Sequence, residues 1–416
     1  MKFITYKSVL SYGIANGLVG LSPILLLPLL TTYMTREQYG EYSLYLILFN
    51  VLSILICSSA NGSLAVQFHK SPEQGSLVAS AYIVPLLSFP IVTLFFFPIA
   101  SFFFNLPEKL LLIALISALF NSLVLIFLSF FQANGRYYRY LLVRIGQVFG
   151  DVLFSYILVI SLVVSIYARL YAHLSAFLLA LIVCYLLYKR GNLILKGVVK
   201  KNLLYKHLRF GLPLLPHAIA GSTIMLVDRI VLSELIGIES VGVFMVALQV
   251  GGIIMFFIEP VNKVFAPWLF KNLGDTNHSQ KVTMVRYTYL YYIALVIFAF
   301  GLYLLSDLIV KILVSQEFSD ASLLVPYILI GFMFQGMYYT VTNYILYSEK
   351  TGLLSKITVS VSLTSILSSI FLVYSFGIVG AAISFAFTNI LLFGVVWYFS
   401  NRVFPMPWFE YKRIEK

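Results

Sequence analysis

"FGLPLLPHAIAGSTIMLVDRIVLSELIGIESVGVFMVALQVGGI", residues 210–253, consists of two apolar stretches separated by a short acidic turn. Each stretch has roughly the 20 residues that a helix needs to cross the hydrocarbon core of a bilayer. The pattern therefore predicts a helical membrane hairpin. Its first helix contains Asp228 and Arg229, and each such charge at the centre of a span costs about 2.5–3.5 kcal/mol.

A weaker copy of this pattern, "YGIANGLVGLSPILLLPLLTTYMTREQYGEYSLYLILFNVLSI", occupies residues 12–54. Gly13 aligns with Gly211, and Glu37 aligns with Glu239 after a short insertion in the second copy. Both copies start on the same side of the membrane if six spans separate them. A parallel repeat of this kind predicts two helical bundles related by a pseudo-two-fold axis along the membrane normal. Chance similarity between two hydrophobic hairpins is the alternative.

The composition places the whole chain in a membrane. Of its 416 residues 61% are hydrophobic and 11% are charged, whereas about a quarter of the residues in soluble domains are charged. We predict an all-α polytopic membrane protein with about twelve transmembrane helices in two six-helix bundles. The predicted spans are 11–31, 41–62, 77–104, 110–131, 145–165, 170–188, 210–233, 241–262, 285–305, 321–347, 354–375 and 378–400.

The distribution of basic residues predicts the orientation. With the N-terminus in the cytoplasm, inside segments contain almost all of the 28 Lys and Arg residues. The exceptions are Arg36, Lys109, Arg169, Arg229 and Lys311. This positive-inside bias predicts that both termini are cytoplasmic.

The same distribution divides the chain and limits its partners. We predict an N-terminal bundle (1–188), a basic cytoplasmic linker (189–209), a C-terminal bundle (210–400) and a cytoplasmic tail (401–416). The net charge of +12 is spread over many inside loops, which argues against nucleic-acid binding. The linker is basic enough to attract anionic membrane lipids, although a solvated topology determinant is the simpler interpretation.

Asp228 is the leading candidate for a role in a substrate path. Read as a helix, its span places Asp228 on one face with His217, Gly221 and Ile224. Arg229 points about 100° away, so the two neighbouring charges do not face each other. Arg229 can snorkel to the outer interface, whereas the short Asp228 side chain favours a cavity or a partner on another helix. His217, near two prolines, is either a proton carrier or a packing residue.

Other polar residues within spans are weaker candidates. Asp151 is either paired with Arg144 or exposed to a cavity, and Glu259 and Lys263 are spaced for a salt bridge within one helix. Further substrate-path candidates are amides for which interhelical hydrogen bonding is the default: Asn16, Asn50, Gln249 and Gln335.

No motif predicts an enzyme. The chain lacks HExxH, GxSxG, P-loop and paired-cysteine motifs, and its two cysteines, Cys57 and Cys184, lie in separate apolar runs. We therefore expect no catalytic residues, no metal site and no cofactor. Uphill transport would have to use an ion gradient or the membrane potential, and the sequence does not distinguish H⁺ from Na⁺.

Several motifs resemble the Wzx-type O-antigen and polysaccharide flippases of the multidrug/oligosaccharidyl-lipid/polysaccharide (MOP) exporter superfamily. They are "LTTYMTREQYGEYSLY" (30–45), "FFQANGRYYRYLLVRIGQV" (130–148), "PLLPHAIAGSTIMLVDRIVL" (213–232) and "GIESVGVFMVALQV" (237–250). The order and spacing of the motifs extend the resemblance over nearly the whole chain.

The resemblance implies a fold and a function. The fold would be MATE-like, with two six-helix lobes and alternating access. The substrate would be an undecaprenyl-diphosphate-linked oligosaccharide, moved from the cytoplasmic to the periplasmic leaflet of the bacterial inner membrane for O-antigen or lipopolysaccharide biosynthesis. A polysaccharide polymerase and a chain-length regulator would be possible partners.

Two alternatives stay open. A drug or small-solute antiporter can use the same fold, because a fold does not determine its cargo. A membrane polysaccharide polymerase is disfavoured because the predicted outer loops are short.

Overall fold

The computed structural model describes residues 6–69, 71–104, 107–161, 165–190, 197–273 and 277–409. Over these ranges the chain is helical and contains no strand, which confirms the predicted all-α class. The chain forms two compact units, unit 1 (Met1–Ser222) and unit 2 (Thr223–Lys416).

Unit 1 contains eight complete helices within the described residues. They are α1 (Tyr6–Tyr33), α2 (Arg36–Cys57), α3 (Ala60–Gln67), α4 (Gln74–Phe104), α5 (Glu108–Ala133), α6 (Tyr137–Ser161), α7 (Ile166–Arg190) and α8 (Lys201–Gly211). A 3-10 turn, Leu212–Leu214, leads into α9 (Leu215–Leu235), and the boundary between the units falls inside α9.

The second predicted span is divided between α2 and α3. Thr35 caps α2: its side chain accepts a hydrogen bond from the backbone N–H of Gln38, whose side chain accepts one from Thr35 in return. At the other end Ser58 and Ser59 both have positive φ, of 45° and 54°, and the helix breaks there. Gly211 packs so closely on the Ser58 carbonyl group that a side chain at this position would overlap it. The end of α8 is thus seated on the break between α2 and α3.

Unit 2 continues with five further helices. They are α10 (Ile238–Gly251), α11 (Met255–Asn272), α12 (His278–Leu313), α13 (Val325–Tyr347) and α14 (Thr351–Val403), with 3-10 segments at Gly252–Ile254 and Gln316–Leu323.

Helix α14 is two antiparallel arms rather than one rod. Gly377 has φ +59° and ψ −138°, a conformation that only glycine adopts readily. Gly380 lies against the backbone of Leu372, which a straight helix would place about 12 Å away. We call residues 351–376 the first arm and residues 378–403 the second arm.

Each predicted span overlaps a described helix. Nine described helical segments are long and apolar enough to cross a membrane, when α10, α11 and the 3-10 turn between them are counted as one segment (Ile238–Asn272). Helix α13 with its preceding 3-10 segment forms a tenth, bent by 56°. The remaining difference from twelve arises because α14 supplies two predicted spans and α9, with its two charges, carries another. The fold is therefore that of a multi-pass membrane protein.

The described part of the predicted tail packs on unit 2. Trp408 is buried, and its carbonyl oxygen accepts a 2.7 Å hydrogen bond from the Tyr289 hydroxyl group. Tyr344, also buried, contacts the Trp408 ring edge-on. These contacts join the end of the second arm to α12 and α13.

Candidate functional site

Helix α9 places Asp228 in the interior of unit 2. Asp228 is 2% exposed, and its neighbours on the helix, Val227 and Val231, are also buried. Burial of these apolar side chains packs α9 into the interior of unit 2. It also means that the charge of Asp228 depends on polar atoms from other helices.

Those polar atoms come from α14. The hydroxyl groups of Ser369, on the first arm, and Ser384, on the second arm, lie beside the Asp228 carboxyl group. All three residues are buried, yet among the described residues Oδ1 of Asp228 and both serine oxygens have no partner in good hydrogen-bond geometry.

One helical turn from each serine lies a further hydroxyl residue. Ser365 precedes Ser369 by four residues and Thr388 follows Ser384 by four, so each pair shares one face of its arm. Both are 1% exposed, and their hydroxyl oxygens also lack a partner. We call Asp228, Ser365, Ser369, Ser384 and Thr388 the Asp228 cluster.

The chemistry of the Asp228 cluster suits a small cation. It combines one carboxyl group with four hydroxyl oxygens, and oxygen ligands are those that hard cations prefer. Buried polar atoms are almost always hydrogen-bonded, so the poor hydrogen-bond geometry of these five oxygens needs an explanation. A proton on the carboxyl group would supply one further donor, whereas a monovalent ion could be coordinated by several of these oxygens at once.

Arg229 does not neutralise Asp228 through an ion pair. The described residues contain no salt bridge between the two, and Nε of Arg229 lacks a hydrogen-bond partner. The expected divergence of neighbouring side chains on a helix accounts for this. Ile224, on the same face of α9 as Asp228, is 6% exposed and belongs to the apolar core of unit 2. The His217 side chain lies outside the described residues.

A second polar network lies in unit 1, and it corrects one prediction. Asp151 does not pair with Arg144. It binds Arg169 of α7, with 2.6 Å between Arg169 Nη1 and Asp151 Oδ1. Arg144 instead donates to the Gln147 side chain over 2.9 Å. A pair with Arg169 was not expected because the topology placed Arg169 in an outer segment, whereas α7 already begins at Ile166.

Side chains from two further helices complete the network. Arg169 also donates to the Tyr42 hydroxyl group (2.7 Å), and Ser22 donates to Asp151 Oδ2 (2.9 Å). Helices α1, α2, α6 and α7 thus share one buried ion pair. Because every charged oxygen and most guanidinium N–H groups are satisfied, the network is suited to fixing these helices together.

His173 forms a separate hydrogen-bonded group in unit 1 that was not predicted from the sequence. One helical turn after Arg169, it lies 2.9 Å from the Tyr45 hydroxyl group through its Nδ1 atom. Tyr45 in turn donates to Ser117 over 3.1 Å. The only available signal was the i, i+4 spacing of Arg169 and His173 in an otherwise apolar helix.

The remaining candidates are local. Glu259 and Lys263 form the predicted salt bridge, at 3.3 Å. Asn50 donates to a carbonyl group in its own helix, and Gln335 donates to Tyr339 one turn away. Gln249 is buried, and the Asn16 side chain lies outside the described residues.

No metal centre is found among the described residues. They contain no group of three or more His, Cys, Asp or Glu side chains that could hold a metal ion. Cys57 and Cys184 are buried and unbridged, as predicted.

Comparisons with solved structures show the fold. The chain aligns with an inward-facing MATE family multidrug resistance transporter of the MOP superfamily at a TM-score of 0.74 and 14% identity, over 94% of each chain. It aligns with the lipid II flippase MurJ, in an inward closed conformation, at a TM-score of 0.70 and 17% identity, over 96% of this chain and 88% of MurJ. The predicted MATE-like fold is thereby confirmed.

Sequence comparisons show the family. "Lsg locus putative protein 1" of Haemophilus influenzae is 20% identical over 379 residues, which cover 89% of this chain and 92% of that protein. The model of the family described as "Polysaccharide biosynthesis protein" matches residues 5–273, more than half of the chain. The chain therefore belongs to the polysaccharide biosynthesis protein family and has the fold of the MOP superfamily.

Proposed function

We propose that the protein is a flippase for lipid-linked oligosaccharides. The observation that carries this proposal is the match of residues 5–273 to the polysaccharide biosynthesis protein family on a fold shared with the lipid II flippase MurJ. A flippase that moves a sugar-bearing lipid across the bilayer accounts for the family match and for the shared fold. Polysaccharide units are assembled on lipids on one side of the membrane and polymerised on the other.

The substrate proposed is an oligosaccharide repeat unit on undecaprenyl diphosphate. It would pass from the cytoplasmic to the periplasmic leaflet of the bacterial inner membrane, for O-antigen or another surface polysaccharide. The distribution of Lys and Arg supports cytoplasmic termini. A polymerase and a chain-length regulator would act on the exported unit.

Transport against a gradient is proposed to draw on Na⁺ or H⁺ bound at the Asp228 cluster. A buried carboxyl group surrounded by unpartnered hydroxyl groups has a different energy with and without a cation, and such differential binding is what lets an ion shift a conformational equilibrium. When bound, the cation supplies charge neutralisation. Asp228 would hold it, and the hydroxyl groups of the Asp228 cluster would supply further oxygen ligands.

A drug or small-solute antiporter is the second candidate. The likeness to a MATE family multidrug resistance transporter favours it, because that fold is compatible with small organic cargo. A membrane polysaccharide polymerase has no such observation in its favour.

Reconstitution in proteoliposomes separates these functions. A fluorescent undecaprenyl-diphosphate oligosaccharide would be placed in the outer leaflet of vesicles that contain the purified protein. A sugar-oxidising reagent or a lectin that cannot cross the membrane would then measure how much of this lipid remains in the outer leaflet over time. Protein-dependent flipping is expected, without lengthening of the sugar chain. Transport of a cationic dye with no flipping would favour the antiporter, and longer sugar chains would favour the polymerase.

The same vesicles test ion coupling. An imposed Na⁺ gradient or pH gradient should accelerate flipping by the wild-type protein, and the effective gradient identifies the ion. Asp228→Asn should abolish this acceleration. The control is Asp307→Asn, which neutralises an exposed carboxyl group of the same unit. Equal response of both variants to either gradient would refute the role of Asp228.

A further inference from the structure

Helix α8 is fixed to unit 1 by its buried face. His207 is fully buried between the Ser63 hydroxyl group, 2.9 Å from Nδ1, and the Leu77 carbonyl oxygen, 3.1 Å from Nε2. Leu203 and Gly211, one turn before and after His207, are buried on the same face. The predicted basic linker therefore contains a docked helix.

The chain entering α8 is held as well. The backbone N–H of Lys200 donates to Ser80 over 3.1 Å, and the Lys200 ammonium group binds Glu73 at 2.8 Å. Contacts at both ends and along the middle leave α8 a single orientation on α3 and α4.

The opposite face of α8 is basic. At 100° per residue, Lys201, Tyr205, Arg209 and Lys206 fall within an arc of about 140° that is centred opposite His207. All four are exposed, and none of the three cations forms an ion pair among the described residues. A concentration of three unpaired positive charges on one fixed face attracts a surface of negative charge.

Apolar side chains border this face. Tyr205 is 62% exposed between Lys201 and Arg209, Val198 is 74% exposed just before the helix, and Leu212 is 52% exposed just after it. Aromatic and apolar groups beside cations are typical of helices that lie in the headgroup region of a bilayer. A soluble anionic ligand would not require these exposed apolar side chains.

We propose that the exposed face of α8, formed by Lys201, Tyr205, Lys206 and Arg209, binds anionic phospholipid headgroups of the cytoplasmic leaflet. The proposal rests on the cytoplasmic orientation proposed above for this loop. The phosphate groups accept charge-assisted hydrogen bonds from the three cations, and Tyr205 with the flanking apolar residues contacts the upper acyl chains. Because α8 is docked on α3 and α4, the bound lipids hold unit 1 at the interface.

The test uses the full-length protein in detergent and a fluorescent short-chain phosphatidylglycerol. We expect saturable binding that weakens with salt and exceeds binding of the matching phosphatidylcholine. A triple variant, Lys201→Gln, Lys206→Gln and Arg209→Gln, should bind phosphatidylglycerol roughly 100-fold more weakly, since each cation near an anionic surface contributes about fivefold. Because these side chains are exposed, the thermal unfolding midpoint of the variant should match that of the wild type.

A matched control removes the same charge elsewhere. Lys271→Gln, Lys350→Gln and Lys356→Gln replace three exposed lysines that the predicted topology places on the same side of the membrane. This variant should retain wild-type affinity for phosphatidylglycerol. Equal losses in the two triple variants, or equal affinity for the two lipids, would overturn the proposal.

Inorganic diphosphate distinguishes a lipid surface from a site for the substrate headgroup. It should not displace phosphatidylglycerol at matched ionic strength, and displacement would overturn the assignment to phospholipids. Since this binding requires neither flipping nor a sugar-bearing lipid, failure here is distinct from failure of the flippase function.

Discussion

Nη1 of Arg169 and Oδ1 of Asp151 lie 2.6 Å apart in the interior of unit 1, joining α7 to α6. The two charges are also bound by Tyr42 and Ser22, so no charged oxygen of Asp151 is left without a donor. Desolvation offsets much of the attraction in such a pair, but either partner alone would be an uncompensated charge. The protein should therefore be less stable when one of the two charges is removed than when both are present or both are removed.

Arg169→Met should lower the free energy of unfolding by about 3–5 kcal/mol, because Asp151 would remain buried without a cation. Thermal unfolding in detergent measures the effect. Combining it with Asp151→Leu should recover a large part of the loss. Lys263→Met, which breaks the exposed pair with Glu259, is the control and should cost about 0–1 kcal/mol. If the double variant is less stable than Arg169→Met alone, the ion pair does not account for the loss.

Cation binding at the Asp228 cluster should be visible as stabilisation. A ligand that binds only the folded state raises stability in proportion to the logarithm of its concentration once it exceeds its dissociation constant. If Na⁺ is the ion, the wild-type unfolding midpoint should rise more in NaCl than in KCl at equal ionic strength. Asp228→Asn should remove the difference and Ser384→Ala should reduce it.

Thr364→Ala is the control for the serine substitution, because its exposed hydroxyl group bonds only within the first arm. It should leave the Na⁺ response unchanged. A Na⁺ response that persists in Asp228→Asn would place the ion elsewhere. A response of the wild type to pH in place of Na⁺, also lost in Asp228→Asn, would identify H⁺ as the ligand.

The docking of α8 should weaken in acid because of His207. The Leu77 carbonyl group can only accept, so Nε2 carries the proton and Nδ1 accepts from Ser63. Burial lowers the pKa of His207 from its ordinary value of 6.5, with the Leu77 hydrogen bond opposing the shift. The unfolded or undocked state therefore binds the proton more readily, and docking is fully stable above pH 6.5 but loses stability as the pH falls below it.

Hydrogen exchange of the α8 amides measures this effect. Protection should decrease as the pH falls below about 6.5, after correction for intrinsic exchange rates. His207→Gln should have lower protection at neutral pH and no additional loss in acid. The same acid-dependent loss in His207→Gln would assign the effect to another group.

Gly377→Ala should destabilise the turn between the arms of α14. A residue with a side chain at φ +59° and ψ −138° is strained, at a cost of about 1–3 kcal/mol. Gly394→Ala, in the second arm with open space around the new methyl group, should be neutral or stabilising. Circular dichroism during thermal unfolding compares the two, and equal midpoints would mean that the turn tolerates a side chain.

Much of the fold followed from local patterns. Apolar runs of bilayer length located the long apolar helices, because backbone groups in lipid must be hydrogen-bonded within a helix. Helix ends were less predictable: α2 starts before its apolar run because Thr35 and Gln38 cap each other. The break at Ser58 and Ser59 had no signal in the sequence, since serine ordinarily avoids positive φ and is held there by packing against Gly211.

The candidate sites were predictable only in part. Asp228 was identifiable because a charge within a span is costly, and its burial agrees with that argument. Its serine neighbours were not, because Ser369 and Ser384 are two of many hydroxyl residues in apolar helices. Asp151 was identified by the same argument. The partner considered for it was Arg144, whereas the structure pairs it with Arg169.

The sequence by itself determined the membrane class, the position and order of the apolar helices, and the two charges that are costly to place in lipid. These properties follow from the length and polarity of single segments, because each segment partitions into the bilayer according to its own hydrophobicity. Tertiary structure decided which polar groups meet: Arg169 with Asp151, the arms of α14 around Asp228, and His207 beneath the basic face of α8. Such encounters join residues far apart in the chain, and they depend on how whole helices pack, which no local spacing specifies.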